Sequence, residues 1–263
     1  MPLPSDIRAQ IDDAVRSYDA RRTEYANLAA RVIDHLTSNH ELMQLIHSTK
    51  SRPKDPEHLR DKLERQATES LAKKRPFTTT AKNVFTRIED LAGVRLLHLR
   101  SKEICDIHPK LQEIFRTFKY TIVGEPEASS WDIETSKLFG DLGFKIVPRP
   151  TLYTSVHYIV QPHYGKEKCE VQVRTLAEEL WGEVSHAMNY PHTSECRACT
   201  EQLLALARLT SGCTRLVDSI FVTRDEFDDL RDQTHLRRSG KKKRKTKQAT
   251  KKKSVNRKGR SRT

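Results

Sequence analysis

The sequence predicts an α+β fold, a body of mixed strands and helices with helical segments at both ends. Three observations lead there. The chain opens with a long stretch of helical periodicity. Its middle alternates short apolar runs with helical and turn-rich segments in no regular order. Its last apolar segments return to helical spacing.

Each element has its own signal. In residues 5–48, Ile7, Ile11, Val15, Tyr18, Tyr25, Leu28, Val32 and Leu36 recur at near-helical spacing, with a break expected near Thr37–Asn39. Asp55-Pro56-Glu57 reads as a helix start, an acid at the cap and proline in the first turn, and that helix should run to about Lys73. Ala81–Glu89 gives no clear pattern. Val94-Arg95-Leu96-Leu97-His98-Leu99 reads as a mostly buried strand. Lys102–Phe118 is helical in pattern despite Pro109. Tyr120–Val123 and Phe144–Val147 are short strand candidates, and Gly124–Gly143 between them reads as a loop with one short helix. Leu152–Val160 and Lys168–Arg174 are strands, and Leu176–Asn189 and Glu195–Phe221 are helices. In the last, Leu203, Leu206, Ala207, Thr210, Cys213, Val217 and Ile220 share one face.

Composition limits the function classes. The chain has 263 residues, 48 Lys+Arg and 35 Asp+Glu. Fifteen of the basic residues and no acid fall in Arg237–Thr263, which leaves 33 cations against 35 acids in residues 1–236. The body is near neutral and the basicity belongs to a tail. With a mean hydropathy of −0.72, no run approaches the roughly 18 apolar residues of a membrane span. The opening MPLPSDIRAQ has no basic-then-apolar pattern, so no secretory signal is expected. Five unevenly spread cysteines argue for a reducing compartment, and a cytoplasmic protein is expected. There is no internal repeat and no glycine-rich loop of the Walker or dinucleotide type.

Two strands carry a polar face. Alternation puts Glu170, Gln172 and Arg174 on one side of their strand and two valines on the other. Tyr153, Ser155 and His157 share a side in the same way. Such rows suit either a solvent-facing sheet or the floor of a polar pocket. Asp90 precedes a strand and is either a turn acid or, with Glu170, a ligand for Mg²⁺ completed by phosphates. Arg95 interrupts an apolar run and needs an anionic partner if buried. Arg52-Pro53-Lys54 lies before a helix N-terminus, as a solvated loop or a phosphate site. Together these residues fit phosphoryl or pyrophosphoryl transfer.

Taken in order, Ser51-Arg52-Pro53-Lys54, Asp90-Leu91-Ala92-Gly93-Val94-Arg95, Tyr153-Thr154-Ser155-Val156-His157, and Glu170-Val171-Gln172-Val173-Arg174-Thr175 resemble the synthetase domain of the RelA/SpoT-type (p)ppGpp synthetases. Trp181, His186 and Tyr190 follow at the family's spacing, and the resemblance runs from about Leu28 to Phe221. It implies a nucleotidyltransferase-like fold, a mixed β-sheet flanked by helices, filling residues 1–236, and transfer of the β,γ-pyrophosphate of ATP to the ribose 3′-OH of GDP or GTP. By resemblance, Asp90 and Glu170 hold Mg²⁺, and Glu170 assists removal of the 3′-OH proton. Arg52 stacks on adenine, Lys54 meets the ATP phosphates and Arg95 supports the donor site. Tyr153 stacks on the acceptor base, His157 reaches its phosphates, and Ser155, Gln172 and Arg174 shape that pocket.

The chain resembles the small, synthetase-only members, with no His-Asp hydrolase motif. Asp55 stands where many members have serine, and Pro191 where many have lysine. The wording is close to a branch that includes toxic small synthetases, so the tRNA 3′ CCA end or an adenine nucleotide is the alternative acceptor, with an antitoxin partner. An inactive RNA-binding protein is the alternative of another class. The tail Arg237–Thr263 has the composition of a disordered, RNA- or ribosome-binding segment. Cys196-Arg197-Ala198-Cys199, near His192 and Cys213, is a weak zinc pattern because a second pair is missing. Cys213 is expected in the helix core.

Overall fold

The computed structural model describes residues 3–189 and 196–258, with side chains to Asp232. The chain divides into two units, Met1–Arg215 and Leu216–Thr263. The first opens with α1 (Ser5–Asp19), α2 (Arg22–Thr37) and α3 (His40–Met43), then β1 (Ser48–Pro53), α4 (Pro56–Ala72), α5 (Val84–Arg87) and β2 (Ala92–His98). It continues through α6 (Ile104–Thr117), β3 (Tyr120–Ile122), β4 (Glu127–Ser129), α7 (Ile133–Asp141), β5 (Lys145–Ile146), β6 (Ser155–Pro162), β7 (Cys169–Thr175) and α8 (Leu176–Asn189). Helix α9 (Arg197–Lys258) begins in the first unit and makes up the described part of the second.

The sheet runs β1-β2-β7-β6-β4-β5, with β3 beside the far end of β6. Parallel pairing of β2 with β7, and of β4 with β5, amid antiparallel neighbours makes it the mixed sheet that the family resemblance implies.

Register sorts its two faces. Val94, Leu96, Val171, Val173, Val156, Tyr158 and Val160 are buried on the side covered by α2 and α6. Tyr158 ties the layers together: its ring packs against Phe115 of α6, and its hydroxyl meets His108 Nδ1 at 2.8 Å. On the opposite face, Arg95 pairs across from Gln172, which pairs across from His157, which pairs across from Glu127. Lys50 lies opposite Arg95, and Arg52 opposite Gly93. Period-2 alternation therefore gathers the polar residues of five strands on one surface. Helix α8 packs across β2 and β7 on that surface.

Several local expectations meet the structure differently. The first helix breaks at Ala20–Arg21 as well as after Thr37. The break keeps Tyr18 and Tyr25 on one core face, their rings 5.6 Å apart, so the spacing conceals it. Residues 48–53 form an edge strand rather than the end of a helix and a loop. Tyr153 and Thr154 precede β6 instead of lying in it. Leu152 has a left-handed φ of 59°, and this turn separates Tyr153 from the strand alternation. Cys213 is exposed, not in the core; Ala207, Thr210 and Thr214 are the buried residues of that helix among those described. The backbone of α9 runs through Arg237 to Lys258. Lys, Arg, Gln and Ala are good helix formers, and no proline interrupts them.

Candidate active site

The N-terminal helices first fix the strand ends. Tyr18, fully buried in α1, donates its hydroxyl to the carbonyl of Lys54 at 2.6 Å and lies 3.3 Å from that of Leu91. The Lys54 N–H donates to the Leu91 carbonyl at 2.8 Å. Lys54 and Asp90 are thus held side by side. Asp55 then caps α4, accepting the N–H of Glu57 at 2.9 Å, with Pro56 in the first turn. This start aims His58, Lys62 and Arg65, at helical spacing, toward the site.

Asp90 accepts from both lysines: Lys54 Nζ at 2.7 Å on one oxygen and Lys62 Nζ at 2.8 Å on the other. Burial works against its charge, but the two ammonium groups outweigh it and hold the carboxyl at about 2. Glu170, at the start of β7, accepts from His157 Nδ1 at 2.8 Å and from Gln172 Nε2 at 2.8 Å. Burial raises its pKa and Asp90 adds to that, yet His157 and Gln172 bring the net below the usual carboxylate range. The other ring nitrogen of His157, Nε2, is buried without a hydrogen-bond partner.

A third carboxylate organises the far side. Glu179, on α8 and 8% exposed, accepts from Lys50 at 2.8 Å and Arg95 at 2.7 Å, and its other oxygen pairs with Arg174. Those cations come from β1, β2 and β7. Burial opposes the charge of Glu179, and the Lys50 hydrogen bond, Arg174 and Arg95 bring its pKa down to about 2. Arg95 also reaches Glu183, one helical turn on, at 2.7 Å. The guanidinium of Arg174 is buried beside Gly182; a Cβ there would lie 2.5 Å from its Nη1. Arg174 sits 5.8 Å over the Tyr153 ring, which also packs against Trp181 and His157.

Two cavities open on this surface. The larger, about 820 Å³, is lined by Lys50, Arg52, Lys54, His58, Arg65, Asp90, Arg95, Tyr153, Glu170, Gln172, Arg174, Trp181, Glu183 and His186, among others. The smaller, about 520 Å³, includes Lys62, Arg87, Lys145, Arg149, His157, Asp90 and Glu170. Asp90 and Glu170 line both. Arg52, Lys54, Arg95, Tyr153, Gln172 and Arg174 from the sequence set therefore face the larger cavity, and His157 faces the smaller. Ser155 lines neither: it is 1% exposed and its hydroxyl lies 3.4 Å from the Val173 carbonyl. The sequence reading missed Lys62, Glu179, Lys145 and Arg149. Only Lys62 had a signal, its spacing from His58 and Arg65 on α4.

The chemistry available is that of two ionised carboxylates shared by a cation-rich larger cavity and a smaller one in which Lys62, Arg87, Lys145 and Arg149 alternate with Glu89, Glu125 and Glu127. Residues 51–195, more than half of the chain, match the model of the region found in RelA / SpoT proteins. The chain belongs to the RelA/SpoT family. As a member, it is a pyrophosphotransferase of the (p)ppGpp synthetase type. Among solved structures it is similar to a GTP pyrophosphokinase family protein from Streptococcus pneumoniae, at 14% identity over 87% of this chain and 97% of that one, with a TM-score of 0.52. That likeness confirms the fold. The small alarmone synthetase 1 from Bacillus subtilis, bound to its product pppGpp, also matches, at 19% identity over 78% of this chain and 93% of that one, with a TM-score of 0.49. No curated protein matches the chain. No helix among the described residues is long and apolar enough to cross a membrane.

Proposed function

We propose that this RelA/SpoT member transfers the β,γ-pyrophosphate of ATP to the ribose 3′-OH of GDP or GTP, with Mg²⁺ as cofactor. The observation that carries the reading is the position of Asp90 and Glu170, shared by both cavities. In-line transfer needs a donor on one side of the charge-stabilising centre and an acceptor on the other.

ATP is assigned to the larger cavity. Arg52 is exposed at its rim, free to lie against adenine, while Lys54 and Arg95 face the phosphates. The acceptor runs from Tyr153, at the border beside His157, into the smaller cavity. There Arg149 suits its phosphates, beside His157 and beside Lys145, which is paired with Glu127 at 2.7 Å. Gln172 and Arg174 form the floor, and Ser155 supports the sheet behind it.

Asp90 and Glu170 fit a hard cation, because both are oxygen donors held ionised at one place. No group of three or more metal-binding side chains occurs among the described residues. Two carboxylates need phosphate oxygens to complete an octahedron, so the donor set suits an ion that arrives with ATP. Bound there, Mg²⁺ would neutralise charge on the transferring phosphates. Lys54 and Lys62, now paired with Asp90, are placed to turn toward those phosphates. Glu170, ionised and oriented by His157 and Gln172, is the group to accept the 3′-OH proton.

The test offers γ-labelled ATP with GDP, GTP, an adenine nucleotide or deacylated tRNA, using Asp90→Ala as the blank. Label on GDP or GTP supports the proposal. The basic stretch Arg237–Thr263 favours RNA as the rival acceptor, and label on tRNA alone would replace the guanine-nucleotide reading. No transfer to any acceptor would leave the inactive RNA-binding reading.

A further inference from the structure

Outside the cavities, a pair of thiols stands ready for chemistry that pyrophosphate transfer does not use. Cys196 immediately precedes α9, and its carbonyl accepts the Thr200 N–H at 3.1 Å, so it occupies the helix cap. Cys199 lies three residues on. Its thiol donates to the Cys196 sulfur with the two Sγ atoms 2.8 Å apart, and its backbone N–H points at the same sulfur at 3.3 Å. Cys196 is exposed and Cys199 half-exposed. A disulfide bond is about 2.05 Å long, so closing this pair needs less than about 1 Å of sulfur movement.

The two thiols are not equivalent. The Cys199 thiol and backbone N–H favour the Cys196 thiolate and lower its pKa, whereas a neighbouring Cys196 thiolate raises that of Cys199. Cys105, also exposed, is shifted the other way, upward by burial and the Asp106 charge. Nothing in the described surroundings turns the pair into a metal site.

We propose that Cys196 and Cys199 form a redox-active dithiol that exchanges with low-molecular-weight disulfides such as glutathione disulfide. The Cys196 thiolate attacks one sulfur of that disulfide. A mixed disulfide forms and one glutathione thiolate leaves, taking a proton from water. Cys199 then gives its proton to solvent, attacks the Cys196 sulfur and expels the second glutathione. Two electrons have passed from the protein pair to glutathione disulfide, which is reduced to two thiols. The site does not depend on the proposed transferase reaction.

The experiment incubates the full chain with glutathione disulfide at neutral pH, quenches with an alkylating reagent and maps each cysteine by mass spectrometry. The expected product is lighter by two hydrogens, with the bond between Cys196 and Cys199. Cys196 should react on the order of ten times faster than Cys105. In Cys199→Ser the resolving step is lost, and glutathione should remain on Cys196. In Cys196→Ser neither species should form, although Cys105 and Cys213 react as before. Two results would overturn the proposal: glutathione staying on Cys196 in the unaltered chain, or oxidation shared equally among Cys196, Cys105 and Cys213.

Discussion

Asp90 and Glu179 are both ionised carboxylates held by cations, yet they sit in opposite settings. Glu179 lies beneath α8, 8% exposed, and is met by Lys50, Arg95 and Arg174 from three strands. Asp90 lies at a strand end, 22% exposed, and is met by two lysines whose stems can swing. The first arrangement fixes strands to a helix. The second stores two cations where phosphates are proposed to arrive. The same charge pairing therefore builds the scaffold in one place and, under the proposed function, prepares the chemistry in the other.

The comparison breaks most visibly by removing each carboxylate. Asp90→Ala should lower transfer at least about a thousand-fold, the several kcal/mol that a metal-held charge supplies, while circular dichroism stays that of the folded chain and the unfolding midpoint falls less than on loss of Glu179. Glu170→Ala should do the same. If either variant keeps substantial activity, the metal assignment fails. Glu179→Gln should reverse the balance. Loss of a buried partner costs about 3 kcal/mol, read as a lower denaturant midpoint, with activity falling only as Arg95 and Arg174 lose their places.

Gly182 sharpens the same contrast. Alanine there would put a Cβ 2.5 Å from Arg174 Nη1. Although alanine favours helix by about 1 kcal/mol over glycine, Gly182→Ala should destabilise by about 1–3 kcal/mol, because the buried guanidinium must move from Glu179. An unchanged or raised midpoint would mean that Arg174 has room elsewhere.

Acid separates the two carboxylates more finely. Asp90 and Glu179 both have folded pKa values of about 2, below their unfolded values. Each therefore contributes stability that is full above the unfolded pKa and is lost as pH falls through the folded one. Stability should decline from about pH 4.5 toward about pH 2, and Glu179→Gln should make that decline shallower than in the parent chain. Parallel acid curves would contradict the pairing of Glu179. The smallest effect belongs to Tyr18→Phe, which removes the hydroxyl above Lys54 and Leu91 and should cost about 1 kcal/mol.

How much was legible follows from where each residue's partners come from. β2 and β7 carry dense apolar alternation, so Asp90, Arg95, Glu170, Gln172 and Arg174 could be placed from local pattern. β1, Ser-Thr-Lys-Ser-Arg-Pro, has no apolar residue before its closing proline and shows its strand character only through pairing with β2. β4 is three residues inside a polar stretch. Tyr153 looked like a strand residue because only the φ at Leu152 removes it from the alternation. Ser155 shares a face with His157, but burial at its end of the strand keeps it out of both cavities. Glu179 resembles any surface acid of a helix until α8 is laid on the sheet. Tyr18 was legible as core, and its hydroxyl's grip on the site was not.

The most direct test of pyrophosphate transfer is the fate of ATP itself, followed by ³¹P NMR with GDP or GTP as acceptor. AMP should appear in step with a 3′-pyrophosphorylated guanine nucleotide, and neither should form with Asp90→Ala. ADP in place of AMP would mean that only the γ-phosphoryl group moves, and would contradict the assignment of the reaction to Asp90 and Glu170 between the two cavities.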